Sequence, residues 1–160
     1  MTQAPDLAII DPVTPQDIAA AKRLCLEYAE SLGFSLCFQG FDTEMAEFPA
    51  SYSTTRRGAL RLGLRGGQPA GIIALRDLGD DVCEMKRMYV APAARGSGLG
   101  RALGLAILQA GRDLGYRVMR LDTLTWMTAA GALYASLGFV PCAKYNDNPM
   151  ADARFFERPL

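Results

Sequence analysis

The chain has 160 residues, 50% of them hydrophobic and 21% charged, which suits one globular domain with a core of its own. Seventeen basic residues balance seventeen acidic ones, so no overall field draws the protein to nucleic acid or to an anionic membrane surface. There is no histidine, which removes serine–histidine and cysteine–histidine nucleophiles, HExxH metalloenzymes and any imidazole base at once.

In chain order, LAIIDP (Leu7 to Pro12) is a short apolar run stopped by proline. TPQDIAAAKRLCLEYAESLG follows from Thr14 to Gly33, with a capping threonine, apolar Ile18, Leu24, Tyr28 and Leu32, and a closing glycine. These read as strand, then helix. FDTEMAEFPASY (Phe41 to Tyr52) is a weaker helical signal, and STTRRG after it reads as an exposed connection. Ala59 to Arg65 and Pro69 to Leu78 are strand-like runs joined by Gly66-Gly67-Gln68, a hairpin signature that predicts antiparallel pairing.

Val82 to Val90 is a third strand, and Leu99, Leu103, Ile107, Ala110 and Leu114 then recur at helical spacing. Tyr116 to Leu124 is another strand, Thr128 to Gly138 a short helix, and Phe139 to Tyr145 and Ala153 to Leu160 two closing strands. Residues 1–160 are therefore expected to form a single α+β (mixed α/β) domain, with a mostly antiparallel central sheet of about seven strands flanked by about four helices. Cys25, Cys37, Cys83 and Cys142 are widely spaced with no CxxC pair, and the N-terminus has neither a basic n-region nor a long apolar run. A cytoplasmic protein with reduced cysteines and no metal is the expectation.

Between the third strand and its helix lies MYVAPAARGSGLGRALG, Met88 to Gly104, with glycine at 96, 98 and 100 between Arg95 and Arg101. A strand that turns through glycines into a helix presents unpaired backbone N–H groups at the positive end of the helix dipole, a setting for phosphate. Two rival phosphate motifs fail on spacing. GxGxxG started at Gly96 meets Arg101 where it needs glycine or alanine, and started at Gly98 it meets Leu103; the G-K-[ST] of a P-loop is absent. What the segment does carry is Arg95-x-x-Gly98-x-Gly100. Downstream, Ala130-x-x-Leu133-Tyr134 opens a short helix that runs into Gly138-Phe139.

On these two segments the chain resembles the GNAT superfamily of N-acetyltransferases, whose acetyl-coenzyme A site has Q/R-x-x-G-x-G/A at such a strand-to-helix turn. The resemblance implies a GNAT-like domain that moves acetyl from acetyl-coenzyme A, as co-substrate, to the amine of a small molecule or peptide by direct attack. It implies that the backbone from Gly96 to Gly100, Gly98 and Leu99 included, holds the pyrophosphate, with Arg95, Ser97 and Arg101 as side-chain partners. The backbone of Met88, Tyr89 and Val90 would run beside the pantetheine arm like an added strand. Many members have asparagine where this chain has Met127, so any cofactor contact from it is lost or is replaced by Thr125 or Thr128. An acyl-coenzyme A sensor without turnover, or a longer acyl donor, stays open as an alternative.

Alternation along Val82 to Val90 would put Glu84, Lys86, Met88 and Val90 on one face and Cys83, Met85, Arg87 and Tyr89 on the other. Glu84 resembles the glutamate that several GNAT enzymes use as general base. Desolvation would raise its pKa toward that task, and a salt bridge to Lys86 is the plainer alternative. Tyr134 resembles the acid that protonates the coenzyme A thiolate, with core packing as its alternative. An N–H of Tyr89 or Val90 would polarise the carbonyl. Cys83 and Cys142 have no histidine to activate a thiol and are read as packing residues. The expected acceptor walls are Phe41 to Tyr52, the Arg56-Arg57 loop and Tyr145 to Ala153. The expected partner is a small-molecule amine or peptide, with no nucleic acid or membrane, and a homodimer is compatible with the sequence.

Overall fold

Seven strands and four helices follow one another in a computed structural model that describes residues 6–37 and 40–160. The order is β1 (Leu7–Ile10), α1 (Pro15–Ser31), α2 (Phe41–Glu47), β2 (Ala59–Arg65), β3 (Gln68–Gly79), β4 (Val82–Val90), α3 (Leu99–Asp113), β5 (Val118–Leu124), α4 (Thr128–Ser136), β6 (Val140–Pro141) and β7 (Ala153–Pro159). The strands make one sheet in the order β1-β2-β3-β4-β5-β7-β6, antiparallel except where β4 meets β5. Thr14 caps α1, its Oγ1 accepting the Asp17 N–H at 3.1 Å. Gly66 and Gly67, with φ of 58° and 77°, supply the two positive dihedrals that a two-residue hairpin between β2 and β3 requires.

Each face of the sheet buries its own core. On one, Leu99, Leu103 and Ile107 of α3, Tyr134 of α4 and Leu137 just after it pack on Ile73, Leu75, Met85, Met119 and Leu121. On the other, Ala21, Leu24 and Cys25 of α1 and Phe41 and Met45 of α2 pack on Leu60, Leu62, Ile72 and Ala74.

Strand β4 departs from strict alternation. Its partners on β3 run Ala74↔Lys86 and then Ile72↔Tyr89, so three steps on β4 oppose two on β3, and Arg87 in between has φ of 59°. This is a β-bulge, and the extra residue inverts the side-chain parity beyond it. Glu84 and Lys86 face the α1/α2 side, as does Tyr89, whose hydroxyl donates to Glu27 of α1 at 3.3 Å. Met88 and Val90 pack instead on the α3 side. The alternation expected from the sequence, with Met88 and Val90 sharing the face of Glu84, is corrected by this one inserted residue.

Two other expectations shift. The helix read over Phe41 to Tyr52 stops at Glu47, because Pro49 cannot continue it, and resumes only as a short turn at Ala50–Tyr52. The strand read over Phe139 to Tyr145 pairs with β7 only at Val140 and Pro141, with one further bond from Cys142 N–H to the Phe155 carbonyl. The chain then leaves the sheet edge, and Tyr145, Asn146 and Asn148 reach back across it.

The bulge is held from α2. Arg87, with a side chain 2% exposed, donates from Nη2 and Nε to the two Glu44 oxygens at 2.8 and 3.0 Å, and its guanidinium lies 5.1 Å from the Phe41 ring centre. Burial works against the Arg87 charge, and the bonds from Glu44 outweigh it and raise its pKa further. Removing one partner of such a pair strands the other charge. Glu44→Leu is expected to cost about 3–5 kcal/mol in urea unfolding, and Glu44→Leu with Arg87→Met to recover most of it; a loss under about 1 kcal/mol for the single variant would mean that water reaches Arg87.

Candidate active site

Strands β4 and β5 pair only over Val82↔Val118, Cys83↔Met119 and Glu84↔Arg120. Beyond that β4 bends away at its bulge, while β5 keeps pairing with β7 as far as Leu124↔Ala153. The sheet therefore opens into a wedge between neighbouring strands. Lys86 and Met88 line one wall, Asp122 the other, and Tyr28 of α1 and Tyr134 of α4 close it from either face.

A groove of about 610 Å³ runs from the wedge to the N-terminus of α3. Met88, Tyr89, Val90, Arg95, Gly96, Gly98, Leu99, Gly100 and Arg101 all line it, with Ala130 and Leu133 of α4 opposite and Trp126, 53% exposed, at the rim. Tyr28 and Met88 line both wedge and groove. Ser97 does not share this lining. Its hydroxyl donates to the Ala94 carbonyl and accepts the Leu99 N–H, so it shapes the turn. Arg95 donates Nε to the Val90 carbonyl at 3.1 Å, and Arg101 donates Nη1 to Ser136 of α4 at 3.1 Å.

The glycines divide their work. Gly98, the residue before α3, has φ of 91°, and a Cβ there would have only Leu7 near it, at 3.9 Å. It is needed for the left-handed turn that sends the helix off. The first intrahelical bond joins Ala102 N–H to the Gly98 carbonyl, so the N–H groups of Gly100 and Arg101 lie ahead of the helix ladder and suit an anion. Gly100 is a packing glycine as well: a Cβ would come within 3.1 Å of Met88 Cε and 3.5 Å of Leu133 Cδ2.

In the wedge, Tyr134 is buried and its hydroxyl makes no hydrogen bond among the described residues. Burial, with smaller effects of Tyr28 and Asp122, raises its pKa well beyond the usual phenol value, so the group keeps its proton. Asp122 Oδ2 accepts from Asn146 Nδ2 at 2.8 Å and from Asn148 Nδ2 at 3.1 Å; Oδ1 makes no hydrogen bond among the described residues. Glu84, fully buried, is heavily bonded. Oε1 meets Arg76 Nε at 2.8 Å and Lys86 Nζ at 3.6 Å, and Oε2 accepts Tyr145 Oη at 2.6 Å and Asn146 Nδ2 at 3.4 Å. Burial pushes its pKa up, but Lys86, Tyr145 and Arg76 together outweigh burial and bring it below the ordinary value. The rise expected from desolvation alone is corrected. Burial also lowers the pKa of Lys86, against the pull of Glu84.

Sequence reasoning missed Asp122, Tyr28 and the two asparagines. Asp122 had a signal, an acid inside the apolar strand RLDTL, but Tyr28 reads as one more apolar position of α1. Of the expected acceptor walls, the Tyr145–Ala153 connection reaches the wedge through the bonds of Asn146 and Asn148 to Asp122, and α2 through the pairing of Glu44 with Arg87. The Arg56-Arg57 loop does not: Arg57 packs its guanidinium 4.3 Å over Tyr116, donates to the Leu114 carbonyl and meets Asp81 at 3.4 Å. Met127 stands at the start of α4 without a side-chain cap, its sulfur accepting the Thr123 hydroxyl at 3.6 Å.

Residues 23–139 match the Acetyltransferase (GNAT) family. An N-acetyltransferase of Schizosaccharomyces pombe is 36% identical over 151 residues, 94% of this chain and 93% of its own. Among solved structures, an acetyltransferase from Streptococcus agalactiae superposes with a TM-score of 0.78 at 20% identity, covering 96% of this chain and 98% of its own. The yncA acetyltransferase of Salmonella typhimurium, solved with its cofactor acetyl-CoA, superposes at 0.72 with 21% identity over 98% of this chain and 94% of its own. A strand-to-helix glycine turn, a parallel pair that splays and a tyrosine set over the gap thus coincide with a family match across most of the chain. The protein belongs to the GNAT family and is an N-acetyltransferase.

Gly98→Val tests the groove. The left-handed backbone alone makes it cost roughly 1–2 kcal/mol, so Gly115→Val is the control: Gly115, after α3, also has φ of 86° and open space around it, and it lies outside the groove lining. By calorimetry, Gly98→Val is expected to weaken coenzyme A binding at least about tenfold and Gly115→Val to leave it unchanged; equal affinity in both would make the turn a helix start and nothing more.

Proposed function

We propose that the protein transfers acetyl from acetyl-coenzyme A to the amine of a small molecule or peptide by direct attack inside the wedge. The observation that carries this is the continuity of the groove from the α3 N-terminus to the gap where Tyr134 and Asp122 face each other. The N–H groups at the start of α3 take the pyrophosphate, with Arg95 and Arg101 beside them, and the arm lies along Met88 to Val90, whose edge is left unpaired where β5 diverges. The free cysteines accord with a cytoplasmic setting.

The lone pair of the neutral acceptor amine forms a bond to the thioester carbonyl carbon, and a backbone N–H of Tyr89 or Val90 steadies the oxyanion. As that bond forms, Asp122 takes the proton the nitrogen sheds, through its unbonded Oδ1, directly or through one water. The C–S bond breaks as Tyr134, still a neutral phenol, protonates the departing sulfur, leaving an amide and a free thiol. Glu84, expected from the sequence as the base, has both oxygens occupied. We assign it instead as a positioning residue that holds Lys86 and, through Tyr145 and Asn146, the loop that orients Asp122.

Acetyl-coenzyme A or coenzyme A at about a hundred times its dissociation constant is expected to stabilise the fold by roughly 2.7 kcal/mol, seen as a raised Tm, with NAD and ATP doing much less. A larger shift from NAD would overturn the cofactor assignment.

Asp122→Asn and Tyr134→Phe are each expected to lower kcat by about 10²- to 10⁴-fold with coenzyme A affinity intact. Glu84→Gln should lose less than Asp122→Asn; the reverse order would return the base to Glu84.

A further inference from the structure

On the α1/α2 face, next to the wedge, lies a second cavity of about 350 Å³ between α2, the Ala50–Tyr52 turn, β3 and β4. Beside Gly40, its lining carries the polar side chains of Thr43, Glu44, Ser51, Tyr52, Arg76 and Lys86, on walls of mixed polar and apolar surface. Lys86 lines the wedge as well, so the two spaces share a side chain. The volume sits at the low end of the roughly 300–1,000 Å³ of small-molecule sites.

Three features give this cavity a preference. Arg76 spends its Nε on Glu84, while its terminal nitrogens make no hydrogen bond among the described residues, and its side chain is 46% exposed beside the cavity. Glu44 is neutralised by its two-pronged pairing with Arg87, and Arg76 and Lys86 share the single carboxylate of Glu84, so the balance of charge beside the cavity is positive. Tyr52 is 3% exposed, and its buried hydroxyl has no hydrogen-bond partner of good geometry, although Glu44 lies near. A buried phenol left unsatisfied costs stability unless a bound group satisfies it.

We propose that this cavity holds the carboxylate of a small acceptor, an α-amino acid or a close relative, with Arg76 and Tyr52 binding the anion and the amino group extending past Lys86 toward Asp122. This rests on the acetyltransferase reading and adds the acceptor's class to it. Arg76 offers a fork of donors that matches a carboxylate, and Tyr52 supplies one neutral donor beside it. An amine without an anionic group would leave Arg76 and Tyr52 unpaired in the occupied site, which penalises it relative to the charged acceptor.

The test uses the full chain and a panel of the common L-amino acids, their α-carboxamides and the corresponding decarboxylated amines, followed by thiol release and by calorimetric binding in the presence of coenzyme A. At least one amino acid is expected to be acetylated with kcat/KM at least about tenfold above its amide and its decarboxylated amine. Tyr52→Phe, which removes one oxygen, and Arg76→Gln should each raise the acceptor KM several-fold and leave coenzyme A affinity unchanged, with Arg76→Lys recovering part of the loss. Amides or simple amines used as well as the acids, or amino acids neither bound nor acetylated by protein that does bind coenzyme A, would overturn the proposal while leaving the donor side standing. Failure of the protein to bind coenzyme A at all would instead remove the acetyltransferase mechanism beneath it.

Discussion

The inserted residue in β4 is the constraint on which the site depends. A sheet holds neighbouring strands together through evenly spaced hydrogen bonds, and opening it in mid-strand exposes unpaired N–H and C=O groups that something else must satisfy. Here the extra residue, Arg87, is anchored to α2 through Glu44, so the strand is pulled off its path at the point where β5 carries on with β7 as partner. One buried ion pair thereby holds the strand where β4 and β5 part. It also sets which way the later side chains point, because the change of parity puts Met88 and Val90 on the α3 side and Tyr89 on the α1/α2 side.

Around that opening the charges are arranged in linked pairs. Arg76 and Lys86 hold Glu84, Arg87 holds Glu44, and the amides of Asn146 and Asn148 hold Asp122. A buried carboxylate met by two cations is stabilised in its charged form, whereas Asp122, half-buried, is met on a single oxygen by neutral amides. Glu84 and Asp122 thus differ in their partners as well as in burial.

The frame of the fold is legible in the residues. The Gly66-Gly67 turn, the proline and threonine at the head of α1, and the helical spacing of Leu99, Leu103 and Ile107 each specify a local conformation that packing then confirms. The groove was legible for the same reason, since Arg95, Gly98 and Gly100 sit at fixed offsets on a strand-to-helix turn. The wedge was not. Nothing in VCEMKRMYV announces an extra residue, because a bulge at arginine is imposed by a partner on α2, 43 positions away. Asp122 was hidden likewise: its neighbours come from a loop more than twenty positions later, and the strand assigned to Phe139–Tyr145 obscured the turn that brings them back.

The place of β7 has a consequence for how the molecule is made. The last strand lies between β5 and β6 and not at the sheet edge, so a chain emerging from the ribosome exposes the outer edge of β5 until residues as late as Pro159 have appeared. Strands β1–β4 can pair beforehand, since each pairs with its neighbour in that run, whereas α3 shares its core with the later Met119, Leu121 and Leu137. The carboxylate at 122 gains its amide partners only with that final insertion. During synthesis the β1–β4 part of the sheet can therefore form while Asp122 still lacks Asn146 and Asn148, and the nascent β5 edge is the stretch most open to pairing with a wrong strand.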